Sequence, residues 1–115
     1  MSLKRPKAPV AKWSQAQAAR WIRSQVKEGA CRITYHSGSE SGPKRNISDE
    51  DAINAIKLAQ RTINWEPGEI PRTREPTMTL RFVHTLKTRT IEVVTSIVDD
   101  DDDVIVVTVM GKPNQ

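Results

Sequence analysis

The chain has 115 residues, with 18 Lys and Arg against 14 Asp and Glu and a formal net charge of +4. This length predicts one domain with a modest core. The single cysteine excludes an intrachain disulfide and a zinc site built from several cysteines. Because the sequence has no long apolar run, we expect no membrane span. The basic amino terminus lacks the apolar core of a secretory signal, and we expect a cytoplasmic protein.

The positive charge is concentrated in the first part of the sequence. Residues 1–45 contain ten Lys or Arg and two Asp or Glu. Residues 46–76 contain four Lys or Arg and six Asp or Glu, and so do residues 77–115. A basic front half suits a polyanionic partner, because each neutralised phosphate releases condensed counterions. The alternative interpretation is a solvated surface with a flexible basic arm.

The domain is predicted to span residues 13–111. Residues 1–12 contain two prolines, four cations and no periodicity, which is typical of a disordered basic arm. Residues 112–115 are a short tail, and we find no internal repeat in the sequence.

Each of the two predicted helices begins at a serine cap. Ser14 and Gln17, three residues later, form a capping box, and Gly29 is a typical stop after the last turn. Ser48 precedes three acidic residues, whose charge complements the helix macrodipole. The apolar stripe that follows extends this second helix to Ile63.

Alternation of apolar and polar residues predicts three strands, at residues 30–36, 78–86 and 91–98. A nearly continuous apolar and β-branched run predicts a fourth, central strand at residues 104–110. Residues 64–76 hold three prolines and one glycine and predict a long loop. Five aspartates at positions 99–103 predict a solvated hairpin turn. The order α-β-α-β-β-β predicts an α+β fold, in which two helices pack on one face of a four-stranded, mainly antiparallel sheet.

The stretch before the second helix resembles a known family. Residues 33–36 read Ile-Thr-Tyr-His and end a predicted strand, and residues 45–48 read Arg-Asn-Ile-Ser and lead into the helix. Over about residues 31–60 this resembles BrnT-like toxins of the RelE-type superfamily, and residues 77–111 follow their antiparallel sheet by pattern only. The sequence departs from the family at three points. Ser37 stands in place of the small residue that follows the family histidine, the first arginine of the family's loop is missing, and Asn46 replaces a glycine.

The resemblance implies a RelE-like, metal-independent endoribonuclease, or a relative without the activity. It further implies RNA as the substrate and an acidic, antitoxin-like protein as the neutralising partner. By position, His36 matches the family histidine and Arg45 matches the arginine before Ile-Ser, so the resemblance assigns both to catalysis.

The residue types are those that metal-free RNA cleavage requires. The 2′-hydroxyl needs a base and the leaving oxygen an acid, and His36 and His84 suit these tasks because the pKa of histidine lies near neutrality. Arg45 and Lys44 are candidate phosphate ligands. The alternatives are an exposed polar strand end for His36 and a half-buried, hydrogen-bonded core residue for His84.

A second hypothesis is a non-catalytic module that binds protein or nucleic acid through its basic helix and sheet. Its candidate nucleic-acid ligands are Arg20, Arg23 and Lys27 on the first helix and Arg81 and Arg89 on the sheet. The alternative for the sheet arginines is protection of an edge. The contiguous aspartates lack the spacing and glycine of a calcium loop, and no nucleotide-binding motif is present, so we expect neither metal nor cofactor.

Overall fold

The computed structural model describes residues 3–33, 47–69 and 74–114. Within them, a short 3-10 helix (Val10–Lys12) precedes two helices and five strands: α1 (Gln15–Lys27), β1 (Cys31–Ile33), α2 (Asp49–Leu58), β2 (Arg61–Glu69), β3 (Pro76–Thr85), β4 (Arg89–Val98) and β5 (Asp101–Pro113). The strand order is β1-β5-β4-β3-β2, with β1 parallel to β5 and the other neighbours antiparallel. The α+β class is confirmed, but the predicted four-stranded sheet is corrected to a five-stranded mixed sheet.

Both predicted helix starts are confirmed. The Ser14 hydroxyl accepts from the Gln17 amide (3.1 Å), and the Gln17 side chain accepts from the Ser14 amide (2.9 Å). Ser48 and Asp51 make the same reciprocal pair at 3.1 and 3.3 Å. Each capping box satisfies donors that have no partner inside the helix.

The second helix ends earlier than predicted, and β2 lies in a stretch that was predicted to be helix end and loop. Because β2 is at the edge of the sheet, Pro67 is tolerated there despite having no N–H to donate. Asn64 has a positive φ of 58°, and the register with β3 shifts between Ile63 and Glu66, as in a β-bulge. The proline and glycine of this stretch therefore mark an irregular edge strand.

One hydrophobic core joins both helices to one face of the sheet. Phe82 pairs with Val93 and Val93 with Val109, so these three buried side chains form a row across β3, β4 and β5. The predicted inward face of β3 is confirmed for Met78, Leu80 and Phe82. The helices add the buried residues Ala18, Trp21, Ile22, Val26, Ala52, Ala55 and Ile56.

Residues 3–12, the N-terminal segment, were expected to be disordered, and the structure gives them a defined path along α1. The amide of Leu3 donates to the Ser24 hydroxyl (3.1 Å), near the end of α1. The Trp13 indole donates to the Ala8 carbonyl (2.8 Å), just before α1 begins. The segment therefore runs antiparallel to the helix.

Arg5 fastens the N-terminal segment to the turn between β4 and β5. Its guanidinium group donates to the carbonyl oxygen of Val98 (2.6 Å) and forms an ion pair with Asp102 (2.7 Å). The same group lies 5.4 and 5.5 Å from the ring centroids of Trp13 and Trp21. Hydrogen bonds, an ion pair and two aromatic contacts thus converge on one side chain.

The five aspartates after β4 are engaged more closely than a solvated turn would require. Asp99 accepts from the amide of Val10 (2.7 Å). Arg32 of β1 lies 2.5 Å from a carboxylate oxygen of Asp101 and 3.6 Å from one of Asp103. β5 already begins at Asp101. The acidic run therefore contacts both the N-terminal segment and the edge strand β1.

Replacing Arg5 should destabilise the fold. We expect Arg5→Ala to lower the free energy of unfolding by about 2–4 kcal/mol, because hydrogen bonds to charged groups are each worth about 1.5–3 kcal/mol. Urea unfolding followed by tryptophan fluorescence measures the change. Lys7→Ala, at an exposed neighbouring cation, is the control and should change stability by less than about 0.5 kcal/mol. Equal stabilities of the two variants would contradict a structural role for Arg5.

Candidate nucleic-acid interface

Three of the nine predicted site residues, His36, Lys44 and Arg45, lie outside the described residues. The other six are divided between α1 and the sheet. They are Arg20, Arg23, Lys27, Arg81, His84 and Arg89.

Arg23 caps the end of α2. Its side chain donates to the carbonyl oxygens of Ile56 (3.2 Å) and Ala59 (2.8 Å), and its guanidinium lies 5.3 Å from the centroid of the Phe82 ring. The last carbonyls of a helix lack partners within the helix, and a cation there complements the macrodipole. These contacts give Arg23 a structural role, holding α1 against the end of α2.

Arg81 forms an ion pair on the sheet face that points away from the core. Its guanidinium lies 2.9 Å from the carboxylate of Glu92, whose side chain is only 15% exposed. Arg81 pairs in the register with Val94, the neighbour of the buried core residue Val93. A phosphate at Arg81 would therefore have to compete with a close carboxylate.

The register of β3 and β4 brings His84 and Arg89 together. His84 pairs with the buried Ile91, and Arg89 precedes Ile91 by two residues, so both lie on the helix side as diagonal neighbours. Nδ1 of His84 is buried and has no hydrogen-bond partner among the described residues. Arg89 lies 3.5 Å from the carboxylate of Asp51 at the start of α2. An imidazole and a guanidinium that is paired with a carboxylate thus lie at the same end of the sheet.

A second group of cations lies on α1 and the N-terminal segment. We call Lys4, Lys7, Lys12, Arg20 and Lys27 the basic surface. All five are exposed, and no salt bridge joins any of them to another described residue. The stretch from residue 3 to residue 27 contains no Asp or Glu. The stretch of chain that carries the surface is therefore uniformly basic in sequence, and the nearest acids in the described structure are Glu28 after Lys27 and the aspartates that hold Arg5 and Val10.

The geometry of the basic surface follows from the helix and from the segment beside it. Arg20 and Lys27 are seven residues apart, which places them on one side of α1 and about 10 Å apart along its axis. Because the N-terminal segment runs antiparallel to α1, between the Leu3 and Ala8 contacts, Lys4 and Lys7 lie alongside the helix. The cations of the N-terminal segment and those of α1 therefore lie on neighbouring parts of the surface.

Lys4, Lys7 and Lys12 were not assigned to the site from the sequence, because the first twelve residues were expected to be disordered. Two sequence features could have indicated their role. The first 27 residues hold seven cations and no acid, and the arm ends in Val10 and Trp13, apolar residues that the structure buries.

Cys31 is not suited to nucleophilic chemistry. Burial raises the pKa of its thiol, and the nearby carboxylate of Asp103 raises that pKa further, because both disfavour the thiolate. Since the thiolate is the reactive form, this cysteine fits a packing role beside the core.

Among the described residues, no three His, Cys, Asp or Glu side chains are grouped so that they could hold a metal ion. No helix in the described part of the chain is long and apolar enough to cross a membrane. Comparisons with models of known protein families, with curated proteins and with solved structures found no match.

The capping role of Arg23 can be separated from its charge. We expect Arg23→Met to lower the free energy of unfolding by about 1–3 kcal/mol, because two helix carbonyls lose their donor. Arg20→Met, on the same helix but at an exposed position, removes the same charge. It should change the free energy of unfolding by less than about 0.5 kcal/mol. Urea titrations of both variants measure the difference, and equal losses would argue against the cap.

Proposed function

We propose that the protein binds RNA through the basic surface. The observation that supports this is that five exposed cations lie on two adjacent segments, the N-terminal segment and α1, with no acidic residue in the sequence between residues 3 and 27. Neutralisation of phosphates by such a surface releases counterions, which is the main source of affinity in sequence-independent nucleic-acid binding.

The attachment of the N-terminal segment supports this proposal over that of a solubilising arm. Arg5 and Val10 fix the segment at both of its ends, through Asp102 and Asp99 respectively. Lysines on a fixed segment lose less conformational freedom on binding than those on a disordered arm. An acidic, antitoxin-like protein would bind the same surface and compete with RNA, and both partners are consistent with action in the cytoplasm.

The salt dependence of RNA binding tests the basic surface. If all five cations contact phosphates, the slope of log K against log salt for single-stranded RNA is about −3.5. The variant Lys12→Gln/Arg20→Gln/Lys27→Gln should then reduce the magnitude of that slope by about 2. Fluorescence anisotropy with a labelled RNA oligonucleotide at several salt concentrations gives both values.

A charge-matched variant provides the control. Lys57, Lys87 and Lys112 are exposed and lie outside the basic surface, so Lys57→Gln/Lys87→Gln/Lys112→Gln lowers the net charge equally. It should leave the slope nearly unchanged. If both triple variants reduce the magnitude of the salt slope equally, the affinity depends on net charge alone, and the basic surface is not the binding site.

A second candidate function, metal-free RNA cleavage, is favoured by the position of His84 and Arg89 as diagonal neighbours on the helix side of the sheet. In this reaction the 2′-oxygen attacks the phosphorus as a base removes its proton. The bond to the 5′-oxygen breaks as an acid protonates that oxygen, which leaves a 2′,3′-cyclic phosphate and a 5′-hydroxyl. His84 offers an imidazole for proton transfer, and Arg89 offers charge for the phosphate.

The resemblance to RelE-type toxins adds His36 and Arg45 to this proposal. His36 would supply the second proton-transfer group, Arg45 would bind the phosphate, and Lys44 would assist it. The chain leaves the core at Ile33 and returns to it at Ile47, so these residues belong to the connection between β1 and α2.

Incubation with total RNA in EDTA separates cleavage from binding. We expect unmodified protein to produce cyclic-phosphate ends, and His36→Ala/Arg45→Ala and His84→Gln to slow cleavage by about 100-fold or more, as for loss of a general acid or base. In the anisotropy assay, His84→Gln should bind RNA with unchanged affinity, and His36→Ala/Arg45→Ala should lose no more than the one phosphate contact of Arg45. If no preparation cleaves RNA while all bind it, the catalytic proposal fails and the binding proposal stands.

A further inference from the structure

A cavity of about 220 Å³ lies at the end of the sheet where the N-terminal segment meets β4. Val10, Met78 and Val98 are among its lining residues, and all three are buried. Ala11 and Asp99 also line it and are exposed, so they mark the side that opens to solvent. The cavity therefore has an apolar floor and a mouth that carries a carboxylate.

We propose that this cavity binds a small organic ammonium ion, with its apolar body on the floor and its cationic group at Asp99. The proposal is independent of RNA binding, because none of the cavity's lining residues belongs to the basic surface.

The volume fits a single ring with a short side chain. An apolar cavity of about 150 Å³ is sufficient to bind benzene in another protein. The additional space here accommodates a two-carbon arm that carries the charge. The lining is largely aliphatic, so it would remove apolar surface of the ligand from water.

The charge of the ligand follows from the surroundings of Asp99. The acidic run contributes five carboxylates, and within the described residues only two arginines, Arg5 and Arg32, form ion pairs with it. Asp99 is the member of the run that lines the mouth, and no salt bridge pairs its carboxylate with a described cation. Lys12, which follows Ala11, is exposed and forms no salt bridge with a described acid. A cation is therefore favoured over a neutral or anionic ligand.

The carboxylate of Asp99 has hydrogen-bonding capacity left. One of its oxygens accepts from the amide of Val10 (2.7 Å), which leaves acceptor sites on the group for an ammonium. Specific polar groups in an apolar wall are typical of ligand sites.

Three ligands of the same shape and different charge test the proposal on the full chain. They are 2-phenylethylammonium, 2-phenylethanol and phenylacetate, added to methyl-labelled protein at pH 7 in NMR titrations without RNA. A ligand of this size has an expected Kd on the order of 1 mM. We expect saturating shifts of the Val10, Met78 and Val98 methyl signals, with the ammonium bound most tightly and phenylacetate least.

Two isosteric variants test the role of Asp99. Asp99→Asn keeps an oxygen for the Val10 amide but removes the charge, and should weaken ammonium binding about three- to fivefold, as for an exposed ion pair, without affecting 2-phenylethanol. Asp100→Asn removes the same charge from an exposed residue that does not line the cavity, and should have a smaller effect. Equal affinities for the three ligands, equal effects of the two variants, or no saturating shift at the three methyl signals would overturn the proposal.

Discussion

The position of the N-terminal segment depends on the guanidinium group of Arg5. Two indole rings, of Trp13 and Trp21, lie within 5.5 Å of it. A cation so close to apolar rings loses much of its hydration, and this is costly unless acceptors replace the water. The carbonyl of Val98 and the carboxylate of Asp102 supply those acceptors. The acidic turn is therefore a structural requirement of a partly buried arginine.

This arrangement also separates charge on the outside of the molecule. Arg5 and Arg32 point at the acidic run and are neutralised there, whereas the lysines that flank Arg5 remain exposed. Exposed positive charge is thus presented along α1, and the five consecutive aspartates place a block of negative charge at the β4–β5 turn. Such a separation orients an approaching polyanion towards one side of a small domain. A cationic small molecule would be drawn to the other.

Features that depend on neighbouring residues could be predicted from the sequence. Ser14 and Ser48 bond to residues three positions away, and the alternation along β3 depends only on period 2. Features that depend on distant residues could not. Arg23 binds carbonyls more than 30 residues away, so helical spacing alone made it look available to phosphate. A proline would interrupt a central strand but is tolerated in an edge strand. The strand β2, which contains Pro67, is therefore recognisable only once the strand order is known.

The parallel pairing of β1 with β5 has a consequence for the order of events during synthesis. β1 gains its only described neighbour when residues 104–106 are available, and Arg5 likewise waits for residues 98–102. Ribosomes add about 5–20 residues per second, so β1 and Arg5 spend several seconds without these contacts during synthesis. The β4–β5 hairpin supplies the partners of both, so β1 and the N-terminal segment find their places only after this hairpin has been made.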